Sequence, residues 1–176
     1  MTKNTYKRRL RGRVAVFVAL AAVAIALDQV TKALALARLG KGVSVALPGP
    51  LHGLRLVRNP GASLGLGSGS TWVISLIALA ACLLIIVLAL RTTSMAWTLA
   101  LSLAFSGAAG NLIDRVAYAS GFLDGAVVDF LDYGWSVGNV ADIYLTLAGV
   151  AVVALIACNV QFSDRSQTTE HGGAAK

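Results

Sequence analysis

Four long apolar stretches constrain this chain more than anything else in it. They run from Val14 to Leu27, resuming after Lys32 through Ala37, then from Trp72 to Leu90, Ala96 to Ile113 and Val140 to Cys158. With the first read as Val14 to about Leu36, each is close to the ~20 residues a helix needs to cross a bilayer. In hydrocarbon every backbone N–H and C=O must be satisfied internally, so continuous apolar runs of this length select helices. Composition agrees: 57% of the 176 residues are hydrophobic and 13% charged, against about 25% charged in a soluble domain. The fold class that follows is all-α membrane, a four-transmembrane-helix bundle in one compact domain over 14–158. A basic head (1–13) precedes it, and a polar tail (159–176) with Gly172-Gly173 reads as disordered.

The net charge of +7 invites a nucleic-acid reading, but its distribution opposes one. Lys3, Lys7, Arg8, Arg9, Arg11 and Arg13 all precede the first apolar run, the pattern of a cytoplasmic head in a membrane protein. The even number of spans then puts both termini and the Arg91 turn in the cytoplasm. A cleavable signal peptide is the rival reading of the first run; apolar character resumes after Lys32, and three further spans follow. Cys82 and Cys158 lie inside apolar runs without metal-ligand spacing and read as small hydrophobes.

The segments between spans differ in character. Residues 40–70 lie outside and contain Val43–Leu47 and Leu54–Val57, which alternate like short strands around a Pro48-Gly49-Pro50 turn. A small sheet on the membrane surface is expected there. Residues 114–138 form a second outer segment, in which Tyr118, Phe122, Phe130, Tyr133 and Trp135 suit an interfacial belt or a lid.

Acidic residues are few and one-sided. Asp28, Asp114, Asp124, Asp129, Asp132 and Asp142 all fall at outer helix ends or in outer segments; Asp164 and Glu170 are in the tail. Ionisable groups at membrane depth usually mark function. The pattern Gly-Asn-x-x-Asp occurs twice, at Gly110 and Gly138, at the outer ends of the third and fourth spans. Topology therefore brings Asp114 and Asp142 to one side, each with an Asn on the same helix face. Two close carboxyls share a proton, so one can act as general base on water and the other as general acid on a carbonyl. Which one starts as the base stays open. Asn139 also reads as a helix N-cap. Asp28 and Lys32, four residues apart, read as an ion pair or a substrate contact. The turn from Asn59 to Gly65 is rich in small residues, and Gly107-Ala-Ala-Gly110 makes a small strip for close helix packing.

Together these blocks resemble the bacterial lipoprotein signal peptidase family, signal peptidase II, from Val14 to about Cys158. They are Asp28-Gln-x-x-Lys32, Asn59-x-Gly61-Ala62, Gly110-Asn-Leu-Ile-Asp-Arg115, Val128-Asp129-Phe130 and Asn139-Val-Ala-Asp142. The resemblance implies an aspartic endopeptidase with Asp114 and Asp142 as catalytic pair. It implies that Asp28, Lys32, Asn59, Gly61, Asn111, Arg115, Asp129, Asn139 and Ala141 support the site or bind substrate. It further implies a β-cradle at the outer face, no metal or cofactor, a bacterial inner-membrane location and a monomer among phospholipids. The implied substrate is a diacylglyceryl-modified prolipoprotein cut before its lipidated cysteine. Ser63-Leu64 and Gly138 depart from the family pattern. A proton-relay transporter or a non-enzymatic scaffold are the rival readings; a transporter would spread charges through the membrane depth, and this chain keeps them on one side.

Overall fold

The computed structural model describes residues 3–49, 51–61 and 68–163. Four helices carry the chain: α1 (Lys3–Arg38), α2 (Thr71–Arg91), α3 (Met95–Ala117) and α4 (Val140–Ala157). All four are long and apolar enough to cross a membrane. The basic head is not separate from the first span; it is helical from Lys3 onward. The loop at 62–67, with Ala62, Ser63, Leu64 and Gly65, and the tail at 164–176 lie outside the described residues.

Packing is inverted relative to a soluble bundle. Large side chains such as Leu83, Leu84, Val150 and Val153 face outward, while Ser75, Thr98, Ser102 and Ser106 are wholly buried. Lipid rewards no burial of leucine, so association rests on small residues and interhelical hydrogen bonds. Ser102 Oγ donates to Phe17 O at 2.9 Å, tying α3 to α1. Helix α3 is central and packs on the other three, whereas α2 and α4 flank it and barely meet. The small strip does its predicted work. A Cβ on Gly107 would sit 2.6 Å from Ala141 O and from Leu145 Cγ.

Four strands complete the fold: β1 (Ser44–Ala46), β2 (Gly53–Asn59), β3 (Val127–Asp132) and β4 (Val137–Gly138). They form one antiparallel sheet in that order. The alternation in the first outer segment marks β1 and β2. Strand β3 is buried on both faces, so it shows no alternation and reads as a plain apolar run. It packs through Phe130 and Leu131 on Ala35 and Leu39 at the end of α1. Phe130 is therefore a core residue and no part of a lid, while Phe122 and Trp135 are 70% and 76% exposed and suit an interfacial belt.

Candidate active site

The six described acids sort into three pairs by what their oxygens meet. Asp124 and Asp132 build loops. Asp124 accepts the N–H groups of Ser120 and Gly121 at 2.9 and 2.8 Å, and Asp132 accepts from Gly134 N and Arg55 Nε at 2.8 and 3.0 Å. Backbone N–H groups, Gly121 for Asp124 and Gly134 for Asp132, hold both carboxyls below the usual range.

The second pair lies inside the bundle. Lys32 Nζ of α1 sits 2.9 Å from Asp28 Oδ2 and 3.0 Å from Asp114 Oδ2, with all three side chains at most 2% exposed. Gln29 Nε2 donates to both carboxylates at 3.1 Å. Asp28 Oδ1 accepts Ala141 N–H at 2.9 Å, filling one of the donors that the first turn of α4 leaves open. Asp114 Oδ2 accepts Val128 N–H at 3.0 Å and so fixes β3. Helix α3 does not stop at Ile113 but continues to Ala117; the extra turn keeps Asp114 among helices.

The third pair is Asp129 and Asp142. Asn139 stands between them: its backbone N–H donates to Asp142 Oδ2 at 3.0 Å and its Nδ2 to Asp129 Oδ1 at 2.6 Å. Asn139 Oδ1 accepts Asp142 N–H at 3.1 Å, so the predicted N-cap is present as a full capping box. Asn59 Nδ2 donates to Asp129 Oδ2 at 2.9 Å and Asn111 Nδ2 to Asp142 Oδ1 at 2.9 Å. Asn111 Oδ1 accepts from Lys32 Nζ and from Asn139 Nδ2, both at 3.1 Å, and so links the second and third pairs. Arg115 spans Asn111 O at 3.2 Å and Gly61 O at 2.9 Å.

Asp129 and Asp142 border a cavity of about 780 Å³, and they are the only carboxylates among the described residues that do. Asn59, Asn111 and Arg115 complete its polar end, while Ile74 and Ile77 of α2 face Leu145 and Leu147 of α4 across its apolar part. Burial first, then the neighbouring Asp142 charge, pushes the Asp129 carboxyl up to about 6 against the hydrogen bonds from Asn59 and Asn139. Asp142 sits in the first turn of α4. A carboxyl with a raised pKa and a second carboxylate at one cavity wall are the equipment for attack by water on a carbonyl and protonation of its oxygen.

The expected meeting of Asp114 with Asp142 is not found. The two share no hydrogen-bond partner, and Asn111 and Lys32 lie between them. Its physical cause is Lys32, which draws Asp114 toward α1. Asp28, Lys32, Asn59, Gly61, Asn111, Arg115, Asp129, Asn139 and Ala141 all belong to the connected network. Gln29 belongs as well; only its place inside the Asp28–Lys32 block hinted at that.

Fold and site thus define a multi-pass membrane hydrolase of the aspartic type. The profile of the peptidase A8 family, described as signal peptidase (SPase) II, matches residues 20–158. The lipoprotein signal peptidase of Bifidobacterium adolescentis is 58% identical over 166 residues, covering 94% of this chain and 89% of that one. That of Bifidobacterium longum strain DJO10A is 60% identical over 157 residues, covering 89% and 86%. A solved bacterial membrane enzyme superposes with a TM-score of 0.72 at 26% identity, covering 88% of this chain and 95% of its own. The chain belongs to the signal peptidase II family, and its activity is that of a lipoprotein signal peptidase in a bacterial membrane.

Proposed function

We propose that Asp129 and Asp142 are the catalytic pair, and that Asp114, Asp28 and Lys32 hold the scaffold beneath them. The observation carrying this reading is that Asp129 and Asp142 alone among the described carboxylates line the cavity. Asp142, as the carboxylate, takes a proton from water as the water oxygen attacks the scissile carbonyl. Asp129 gives its proton to that carbonyl oxygen. Collapse of the tetrahedral intermediate returns a proton to Asp129, and the proton held by Asp142 goes to the leaving amine, so the pair ends as it began.

The substrate is a prolipoprotein carrying diacylglyceryl on its lipobox cysteine, cut just before that cysteine. Two properties support this beyond the relatives' names. The cavity joins a polar end to apolar walls from α2 and α4, and these helices barely meet, so a lipid-bearing segment has a lateral way in. The carboxylate end of the bundle faces away from the cytoplasm, because Lys7, Arg8, Arg9, Arg11 and Arg13 crowd the other end. The protein works as a monomer surrounded by phospholipid.

The test is cleavage of a purified diacylglyceryl-modified precursor by the full chain, read by product mass. Wild type yields a fragment beginning at the lipidated cysteine, and the unlipidated precursor is cut poorly. Equal cutting of both precursors, or a cut elsewhere, refutes the substrate assignment.

A further inference from the structure

The wall of the cavity carries one hydroxyl that the proposed proton transfers do not use. Tyr133 stands at the turn between β3 and β4 and lines the cavity together with Asp129 and Asp142. The chain around it fixes its place. Tyr133 N–H donates to Ser136 O at 2.8 Å, and Asp132 Oδ1 accepts from Gly134 N at 2.8 Å. Gly134 has φ of 86°, the left-handed region that glycine enters freely. The ring packs on the core of Ala35, Leu39, Phe130 and Leu131 and stacks with Trp135 at a centroid distance of 6.2 Å.

The ring reaches the start of α4 because residue 138 has no side chain. A Cβ on Gly138 would lie 3.2 Å from Tyr133 Cε2 and 2.8 Å from Asp142 Oδ2, so ring edge and carboxylate approach the same bare stretch of backbone. Tyr133 is half-buried, yet its hydroxyl has no hydrogen-bond partner among the described residues. Asp142 takes its donors from Asn111 and Asn139 instead. Burial first, then the Asp142 and Asp129 carboxylates, push the phenol above its ordinary value, so it is a donor at any pH at which those acids work. A tyrosine hydroxyl taken out of water usually finds a partner. Here the ring is held and the O–H is left unspent beside the reacting groups.

We propose that Tyr133 is a substrate-binding residue, whose O–H donates to a backbone carbonyl of the precursor next to the scissile bond and holds that bond against Asp142. The assignment rests on the reading of Asp129 and Asp142 as the catalytic pair. A backbone carbonyl is the fitting acceptor because an extended peptide offers one at every residue. The ester carbonyls of the diacylglyceryl group are the other source of that chemistry. They belong to the lipid, whose place is the apolar part of the cavity between Ile74 and Ile77 of α2 and Leu145 and Leu147 of α4, whereas Tyr133 stands by the carboxylates.

The test uses the full chain and a synthetic diacylglyceryl-modified precursor. Further precursors carry a thioamide, a weaker acceptor, in place of the amide on one or the other side of the scissile bond. Tyr133→Phe removes only the hydroxyl. It should lower kcat/KM by ~10-fold, the scale of one hydrogen bond to substrate, and leave the melting temperature unchanged. In wild type one of the two thioamides should cost a similar factor; in Tyr133→Phe the same thioamide should cost nothing further, a coupling that a purely structural tyrosine would not show. Wild-type kcat/KM in Tyr133→Phe overturns the proposal. So does a thioamide penalty that is the same with and without the hydroxyl, or a Tyr133→Phe loss that vanishes when ethers replace the lipid esters. Asp142→Asn in the same assay separates the two claims. If it is inactive while Tyr133→Phe is unaffected, the phenol alone is wrongly assigned; if it turns over normally, the catalytic pair fails and the assignment of Tyr133 with it.

Discussion

Two pairs of aspartates sit at the same end of one helix bundle, and their neighbours give them opposite work. Asp28 and Asp114 close on an ammonium, Lys32, at 2.9 and 3.0 Å. Asp129 and Asp142 close on amides, from Asn59, Asn111 and Asn139. An ammonium neutralises a carboxylate and locks it; an amide orients it and leaves its charge unspent. On the proposed assignment the first pair is structure and the second does the chemistry. The two pairs are joined through Asn111, so place in the fold does not separate them. The identity of the donor does, and so does access to the cavity.

The largest effect that tests this contrast is on turnover. Asp142→Asn and Asp129→Asn should each lower cleavage of a lipidated precursor by ~10²–10⁴, the usual worth of a general acid or base. Neither should lower the melting temperature of the purified protein. Asp114→Asn should do the reverse, losing stability first and activity only in proportion to the unfolded fraction. Normal melting with abolished turnover in Asp114→Asn would restore it to the catalytic pair.

Next in size is Lys32→Met. Removing the cation leaves Asp28 and Asp114 buried without a counter-ion, a situation that costs about 3–5 kcal/mol. The triple change Lys32→Met, Asp28→Asn, Asp114→Asn should recover part of that loss, because neutral groups replace the whole charged cluster. Chemical denaturation of the variants measures both. A triple variant less stable than Lys32→Met alone would break the view of this cluster as a neutralised unit.

The overall architecture is legible in the sequence because its signals are strong and local. Four apolar runs, a basic head and the alternation at residues 43–47 and 54–57 each follow from one period or one length. The site is legible as a set of residues but not as a pairing. Asp114 and Asp142 carry the same Gly-Asn-x-x-Asp pattern, which suggests the same role. Nothing local to Asp114 says that Lys32, 82 positions earlier by numbering, closes on it. Asp129 is hidden by its setting, since β3 is apolar on both sides of it and shows no strand period. Only the β2–β3 pairing, which sets Asp129 against Val57 two residues from Asn59, brings it to the cavity.

The pH response separates the pairs more gently. In the folded protein the Asp129 carboxyl is pushed up to about 6, from an ordinary value of 3.8. The folded state therefore binds this proton more tightly than the unfolded chain does. The stability it contributes is fully present below about pH 4 and is lost as pH rises through about 6. Melting curves from pH 4 to 7 should show that decline in wild type, and Asp129→Asn should flatten it. An unchanged slope in Asp129→Asn would place the titrating group elsewhere.

The smallest expected effects come from two glycines, one beside each pair. A Cβ on Gly110 would lie 2.6 Å from Asp28 Oδ2 and 3.3 Å from Ala141 Cβ, inside the fully packed cluster. A Cβ on Gly138 would lie 2.8 Å from Asp142 Oδ2 and 3.2 Å from the Tyr133 ring, at the cavity wall. Overpacking a closed cluster costs about 1–3 kcal/mol, so Gly110→Ala should melt earlier and keep its turnover per folded molecule. At Gly138 the Asp142 carboxylate has room to move into the cavity, so Gly138→Ala should melt normally. Its turnover should fall by about 10-fold, because displacing a positioned catalytic group by a fraction of an ångström is felt in the rate. If the two substitutions instead lower stability and turnover in the same ratio, the carboxylate pairs are a single unit and the contrast drawn between them fails.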